Sequence, residues 1–180
     1  SVVLEFSEAV SLTDQGAQPL WIWGAGHVGR ALASVLAPLP GHDVTLIDVA
    51  QDRFPDSLPP DVTPCVAAEP LRLVPHAPAA TDHLIVTFSH DLDLKLFDAL
   101  PKHGFASLGL IGSATKWARF RSRLQALGHP TAQISRIACP IGDPSLGKHP
   151  HAIAISVAAS LLSASGQNNA TQIARGDETG

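Results

Sequence analysis

The feature that most constrains the fold is a glycine-rich turn directly after a short apolar segment. Residues 21–30 read Trp-Ile-Trp-Gly-Ala-Gly-His-Val-Gly-Arg, and a helix-compatible stretch continues to Leu36. Gly24 allows a tight turn, Gly26 lets a ligand approach the backbone, and Gly29 lets helix and strand pack closely. The turn therefore predicts the first strand–helix unit of a parallel sheet, with an anion at the start of the helix.

The next apolar segment strengthens this interpretation. Residues 43–47 read as a second strand, and Asp48 stands at its end. A carboxylate about 20 residues beyond such a glycine turn is typical of an acceptor for a ribose hydroxyl. We therefore expect a nucleotide or nucleotide-like ligand that carries a phosphate. The alternative is a packing turn that binds nothing.

The rest of the chain alternates apolar segments with helix-compatible segments. We predict strands at residues 20–23, 44–47, 62–67, 83–88, 105–111 and 134–139. We predict helices from the glycine turn to about residue 37 and at residues 92–100, 114–127 and 151–162. This alternation is typical of a parallel sheet covered on both faces. The predicted fold is an α/β, doubly wound, mostly parallel Rossmann-like sheet.

The length of 180 residues fits one domain. We expect a lead-in or linker at residues 1–18, a Rossmann-like cofactor-binding domain at residues 19–162 and a flexible C-terminal tail at residues 163–180. The net charge of −4 argues against a nucleic-acid partner. No apolar run reaches the roughly 18 residues that span a bilayer, so we expect no membrane partner. The two cysteines form no CxxC pair, which fits a reducing cytoplasm.

In a sheet of this kind, ligands bind beyond the carboxyl ends of the strands. The loop at residues 89–91 follows the fourth strand, where His90 could contact a ligand or exchange a proton. Alternatively, Ser89 or Asp91 only caps the next helix and His90 is a solvated residue. Gly112 and Ser113 end the fifth strand and are expected at the same carboxyl edge of the sheet, which we call the rim.

A basic helix follows that strand. Lys116, Arg119 and Arg123 are spaced to share one helix face. Lys116 lies in the first turn, where a cation is electrostatically disfavoured, so a bound anion there would relieve the penalty. We expect Ser113 and Lys116 to contact a ligand, whereas a solvated basic face is the favoured interpretation of Arg119 and Arg123.

Cys139 ends the sixth predicted strand. Its thiolate could ligate a soft metal or carry sulfur. A lone cysteine on an apolar strand is more often a small buried hydrophobic residue, and we expect that role for both Cys139 and Cys65.

Several motifs resemble, in the same order, those of the XdhC/CoxI-type xanthine dehydrogenase accessory proteins. They lie at residues 24–30, 110–116, 119–124, 139–142, 147–150 and 153–159. The resemblance covers residues 19–162 and corresponds to the C-terminal Rossmann-like domain of that family. Family members usually carry an additional N-terminal region, which includes a cysteine implicated in cofactor binding.

The resemblance implies a cytoplasmic chaperone rather than an enzyme. Family members bind molybdenum cofactor (molybdopterin), present it to a cysteine desulfurase for sulfuration, and pass it to xanthine dehydrogenase. The expected cofactor-binding residues are Gly24, Gly26, His27, Gly29, Asp48, Ser89, His90, Gly112, Ser113 and Lys116. We assign no catalytic residue and no metal ligand. The sequence leaves a homodimer open.

Two other functions remain in view. An NAD-dependent oxidoreductase would use the same turn, and Asp48 would favour NAD over NADP. However, no second catalytic constellation and no substrate domain of the usual size follow the sheet. A nucleotide-sensing regulatory module, like those that gate potassium uptake, shares the turn and the carboxylate. Such modules do not share the segments at residues 111–116 and 139–142.

Overall fold

A computed structural model describes residues 16–139 and 141–176. Its sheet has six strands in the order β3-β2-β1-β4-β5-β6, and every neighbouring pair is parallel. The strands are β1 (Gln18–Trp23), β2 (His42–Asp48), β3 (Val62–Val66), β4 (Asp82–Ile85), β5 (Ser107–Leu110) and β6 (Ile137–Ala138). The strand order reverses between β1 and β4, and in sheets of this kind ligands bind beyond the carboxyl ends of the strands at such a reversal. The α/β, Rossmann-like prediction is confirmed.

In the part of the chain that the structure describes, five α-helices connect and cover these strands. They are α1 (His27–Leu36), α2 (His90–His103), α3 (Ala114–Ala126), α4 (Thr131–Ile134) and α5 (Pro150–Gly176). Short 3-10 helices lie at Gln51–Arg53, Pro70–His76 and Pro144–Leu146. None of the helices in the described part of the chain is long and apolar enough to cross a membrane.

The sheet buries apolar side chains on both faces, because successive side chains of a strand point to opposite sides. Trp21 and Trp23 of β1 belong to the core that includes α2 and α3 side chains. Leu20 and Ile22 belong to the core built with α1 and α5. All four are at most 1% exposed, which accounts for the continuous apolar sequence of β1.

The carboxyl-terminal third of the chain departs from the predicted boundaries. Ile134 was expected to begin the last strand but lies in α4, which follows Pro130 at its N-cap. The φ of −62° at this proline suits a helix start, and Ile134 reaches the core from the helical turn. Only Ile137 and Ala138 then pair with β5.

Helix α5 also runs past its expected end. The sequence predicts an end at Leu162, whereas α5 continues to Gly176. No proline interrupts residues 151–176, and alanine, glutamine and arginine within them favour helix. The predicted end at Leu162 is therefore wrong. Most of the expected lead-in (residues 1–15) and the last residues of the expected tail (residues 177–180) lie outside the described residues.

Candidate functional site

The glycine loop between β1 and α1 lies at the centre of the sheet's carboxyl edge. Gly24 has a φ of +121°, and a Cβ there would lie 2.5 Å from the carbonyl oxygen of Val86. A Cβ on Gly29 would lie 1.7 Å from the carbonyl oxygen of Gly24. Both positions exclude a side chain, so the fold itself explains these two glycines.

Gly26 is different, because nothing among the described residues requires glycine there. Its φ of −73° suits any residue, and a Cβ would meet no atom within 4 Å. Gly26 is the N-cap of α1, no side chain caps the helix, and its first turn contains no acidic residue. The positive end of the α1 dipole therefore adjoins space that a Cβ would partly fill. This geometry suits the phosphate of a ligand. His27, which follows, is exposed.

Asp48 binds the backbone of the glycine loop. Its Oδ2 accepts a hydrogen bond from the backbone N–H of Ala25 at 2.8 Å, and its Oδ1 accepts one from Val49 at 2.7 Å. The residue is only 6% exposed. Asp48 thus fixes the loop's position, and a contact with a ribose hydroxyl would have to use its remaining lone pairs. That contact stays a prediction.

Arg30 is a structural residue of the loop that the sequence analysis did not single out. Its Nε donates to the carbonyl oxygen of Ala25 at 2.8 Å, and its Nη2 donates to that of Arg53 at 2.7 Å. Arg30 therefore ties the glycine loop to the segment after β2. An arginine directly after the third glycine was the available signal.

Arg53 and Phe88 form a contact between the segments that follow β2 and β4. The Arg53 guanidinium lies 4.0 Å from the centroid of the Phe88 ring. Phe88 nevertheless remains 60% exposed. We predicted Phe88 as the end of a strand, but β4 ends at Ile85 and leaves this ring on the rim. Since β1 lies between β2 and β4, the pair links the two sides of the glycine loop.

The loop after β4 mainly starts a helix. Ser89 is the N-cap of α2, and its side chain accepts a hydrogen bond from the backbone N–H of Leu92 at 3.2 Å. His90 is the first residue of the helix and is exposed. Ser89 thus caps the helix and the side chain of His90 is accessible, while a ligand contact of either residue stays a prediction.

The loop after β5 brings Lys116 to a buried carboxylate. Ser113 caps α3 by accepting a hydrogen bond from the backbone N–H of Lys116 at 3.2 Å. The Nζ of Lys116 lies 3.3 Å from Oδ2 of Asp93, which is 1% exposed. Thr87 donates to the other oxygen of Asp93 from its hydroxyl, at 2.6 Å, and from its backbone N–H, at 3.2 Å. A Cβ on Gly112 would lie 2.8 Å from Cδ of Lys116.

Asp93 therefore already provides the negative charge that we expected from a bound anion. The ammonium of Lys116 keeps partial access to solvent, since its side chain is 21% exposed. The sequence did not indicate a role for Asp93, because nothing in the local residue pattern shows that this side chain is buried. Its position in the first turn of α2 fits the preference of a helix start for acidic residues.

The two cysteines lie in settings that disfavour the thiolate. Burial raises the pKa of Cys65 to about 11. Burial also raises the pKa of Cys139 to about 11, although the charge of Lys116 acts in the opposite direction. Both thiols are therefore protonated near neutral pH, which makes them weak nucleophiles. No group of histidine, cysteine and acidic side chains in the described residues is arranged to hold a metal ion.

A groove of about 1050 Å³ lies between α2 and α3, and we call it the α2–α3 groove. Its lining includes His90 on one side and α3 residues between Ser113 and Arg123 on the other. Three of the predicted site residues, His90, Ser113 and Lys116, line this groove. The glycine loop and Asp48 do not. The predicted site residues thus fall into two groups along the carboxyl edge of the sheet. One group lies at the glycine loop, and the other lines the α2–α3 groove.

Comparison with known proteins gives three findings. The model of the XdhC Rossmann domain matches residues 20–161. The chain is 31% identical over 164 residues to the protein YqeB of Escherichia coli (strain K12). This alignment covers 90% of this chain and 30% of YqeB. The solved structure of a xanthine dehydrogenase from Bacillus halodurans superposes with a TM-score of 0.71 at 19% identity.

The superposition covers 92% of this chain and 53% of the Bacillus chain. At that identity the likeness supports the fold alone. The chain therefore spans about a third to a half of the length of these two relatives. The family match runs from β1 into α5 and includes residues of every strand of the sheet. The chain belongs to the XdhC family and contains its Rossmann domain.

Proposed function

We propose that this chain binds molybdenum cofactor at the glycine loop and assists the maturation of xanthine dehydrogenase. The observation that carries the proposal is Gly26, where the fold leaves room for a side chain and the sequence supplies none. Molybdopterin ends in a phosphate, and the uncapped start of α1 offers backbone N–H groups and a positive dipole to an anion.

The remaining residues of the rim would orient the rest of the ligand. Gly24 and Gly29 shape the loop, and His27 is exposed beside it. Asp48 holds the loop through Ala25. His90 and Ser113, at the starts of α2 and α3, would lie toward the pterin end. Lys116 would contribute positive charge that Asp93 has partly neutralised.

The expected role is that of an accessory protein in the cytoplasm, with the cofactor as its cargo. Membership of the XdhC family supports an association with xanthine dehydrogenase. A cysteine desulfurase would replace an oxo ligand of the molybdenum by sulfur while the cofactor is held here. The high pKa values of Cys65 and Cys139 agree with sulfur transfer by the desulfurase, because neither thiol of this chain is activated for that reaction.

NAD binding is the second candidate, and the strand order with a carboxylate after β2 favours it. Against it, both oxygens of Asp48 already accept backbone hydrogen bonds. Titrating the purified chain with isolated molybdopterin and, separately, with NADH distinguishes the two ligands. Tight binding of NADH together with turnover of a carbonyl substrate would replace the chaperone by a dehydrogenase.

Gly26→Val tests the site itself. The variant should fold, because the backbone at Gly26 tolerates a side chain and no atom blocks it. It should bind molybdopterin at least about tenfold more weakly, because the branched side chain would occupy the phosphate position. Ser34→Val, on the exposed side of the same helix, is the matched control and should bind normally. Normal binding by a folded Gly26→Val protein would place the ligand elsewhere.

A further inference from the structure

Helix α3 has an unusual charge for this protein. Its sequence, ATKWARFRSRLQA, contains Lys116, Arg119, Arg121 and Arg123 and no acidic residue. The whole chain, in contrast, has a net charge of −4. The helix is therefore a concentrated positive surface on an otherwise acidic protein, which calls for a reason beyond solubility.

Most of that charge is unbalanced. Lys116 is paired with Asp93, but neither Arg119 nor Arg123 forms an ion pair among the side chains that the structure describes. Both are exposed, and both line the α2–α3 groove. Their spacing of one helical turn aligns the two guanidinium groups on the same face. A planar guanidinium can bind a carboxylate through two parallel hydrogen bonds.

The rest of the groove offers apolar contact and hydrogen bonds but no free carboxylate. Leu94 and Phe120 provide apolar lining, and Ser122 provides a hydroxyl. Asp91 on the opposite wall is paired with Lys95 of its own helix at 2.7 Å. The arginines therefore face a groove whose own acidic residue is engaged.

We propose that the α2–α3 groove is a docking site for an acidic, amphipathic segment of a partner protein. Carboxylates of that segment would pair with Arg119 and Arg123, and its apolar side chains would contact Leu94 and Phe120. The stretch of α3 from Ser113 to Arg123 is about 15 Å long, which suits two to three turns of a bound helix. The volume of about 1050 Å³ exceeds most small-molecule sites. The contacts that it uses, at Leu94, Arg119, Phe120 and Arg123, are not among the predicted cofactor-binding residues, so this inference does not depend on what the glycine loop binds.

A peptide selection tests the proposal. A phage-displayed library of random peptides would be selected on the purified chain and counter-selected on the double variant Arg119→Glu, Arg123→Glu. Enriched peptides should carry acidic residues three or four positions apart beside apolar ones. Fluorescence anisotropy of the labelled enriched peptides should show an affinity that falls as the salt concentration is raised. The double variant should bind them about tenfold or more weakly.

Arg121→Glu is the matched control, because Arg121 lies on the same helix but does not line the groove. It makes a charge reversal of the same kind and should change the affinity less than about twofold. The single variants Arg119→Glu and Arg123→Glu change the net charge by the same amount as this control. If Arg121→Glu lost as much affinity as either of them, the effect would be one of net charge and the proposal would be overturned.

Two other occupants give distinct results. Inorganic pyrophosphate that displaces the peptides in the wild type would assign the groove to a small anion instead. Self-association in light scattering that the double variant abolishes would assign the groove to a second copy of this chain. Failure of the selection to enrich any acidic peptide would also overturn the proposal. Thermal unfolding of each variant confirms that it is folded.

Discussion

His83 is the least exposed ionisable side chain in the described structure. It is 0% exposed on β4, where the Nε1–H of Trp23 donates to its Nδ1 at 3.0 Å. The proton of the neutral ring must then lie on Nε2, which finds no partner among the described residues. Burial, with a smaller effect from the charge of His103, lowers the pKa of His83 to about 3. The ring is therefore a neutral hydrogen-bond acceptor inside the core.

This burial predicts a loss of stability in mild acid. Below pH 6.5 the unfolded chain takes up a proton at this residue, whereas the folded chain does so only near pH 3. The free energy of unfolding should therefore fall as the pH is lowered through this window. The contribution of His83 approaches about 1.4 kcal/mol per pH unit within the window. Urea unfolding at several pH values measures it.

His83→Leu isolates this contribution. The variant should be less stable at neutral pH by about 1–3 kcal/mol, because Trp23 loses its acceptor. Its stability should nevertheless change less steeply with pH than that of the wild type. His151→Ala, at an exposed position, should keep the wild-type pH dependence. An unchanged slope in His83→Leu would show that other groups cause the acid sensitivity.

At the scale of elements, polar contacts fix the loops at the carboxyl edge of the sheet. Asp48 at the end of β2 holds the glycine loop through Ala25, and Arg30 of α1 ties that loop to Arg53. Asp93 of α2 plays a similar part for the loops after β4 and β5, because it binds both Thr87 and Lys116. These contacts give the rim a defined shape before any ligand arrives.

Lys116→Ala tests the contact between α2 and α3. Removing the ammonium leaves Asp93 as a buried carboxylate with only Thr87 as its partner, so we expect a loss of about 2 kcal/mol in unfolding free energy. This estimate lies below that for fully buried pairs because Lys116 is partly exposed. Urea unfolding provides the measurement.

Lys102→Ala is the matched control for that variant. Lys102 pairs with Asp98 at 3.0 Å, but its side chain is 62% exposed. Its removal should cost less than about 1 kcal/mol, because exposed ion pairs contribute little. Equal effects of the two alanine variants would show that the Lys116–Asp93 pair is not a structural link.

At the scale of the whole molecule, the architecture was predictable from local patterns, whereas the site was predictable only in part. The apolar runs at β1, β2 and β5 and the glycine turn are local signals that agree with the final sheet. The partners of Lys116 and Asp48 depend on contacts between distant segments. No spacing rule shows that Asp93 turns inward or that Phe88 stays exposed beside Arg53. Helix α4 was missed because four residues are too few for a periodic pattern.

The proposals for the glycine loop and for Arg119 and Arg123 of the α2–α3 groove lead to a last prediction. A ligand that binds only the folded chain raises its stability by about 2.7 kcal/mol when present at a hundredfold excess over its Kd. Molybdopterin should therefore raise the unfolding temperature of the wild type. The double variant Arg119→Glu, Arg123→Glu should keep that increase, because neither arginine is among the predicted cofactor-binding residues. Gly26→Val should lose it. If the groove variant also lost the increase, the cofactor would extend along the groove as far as Arg119 and Arg123, and the cofactor and the partner segment would compete for one site.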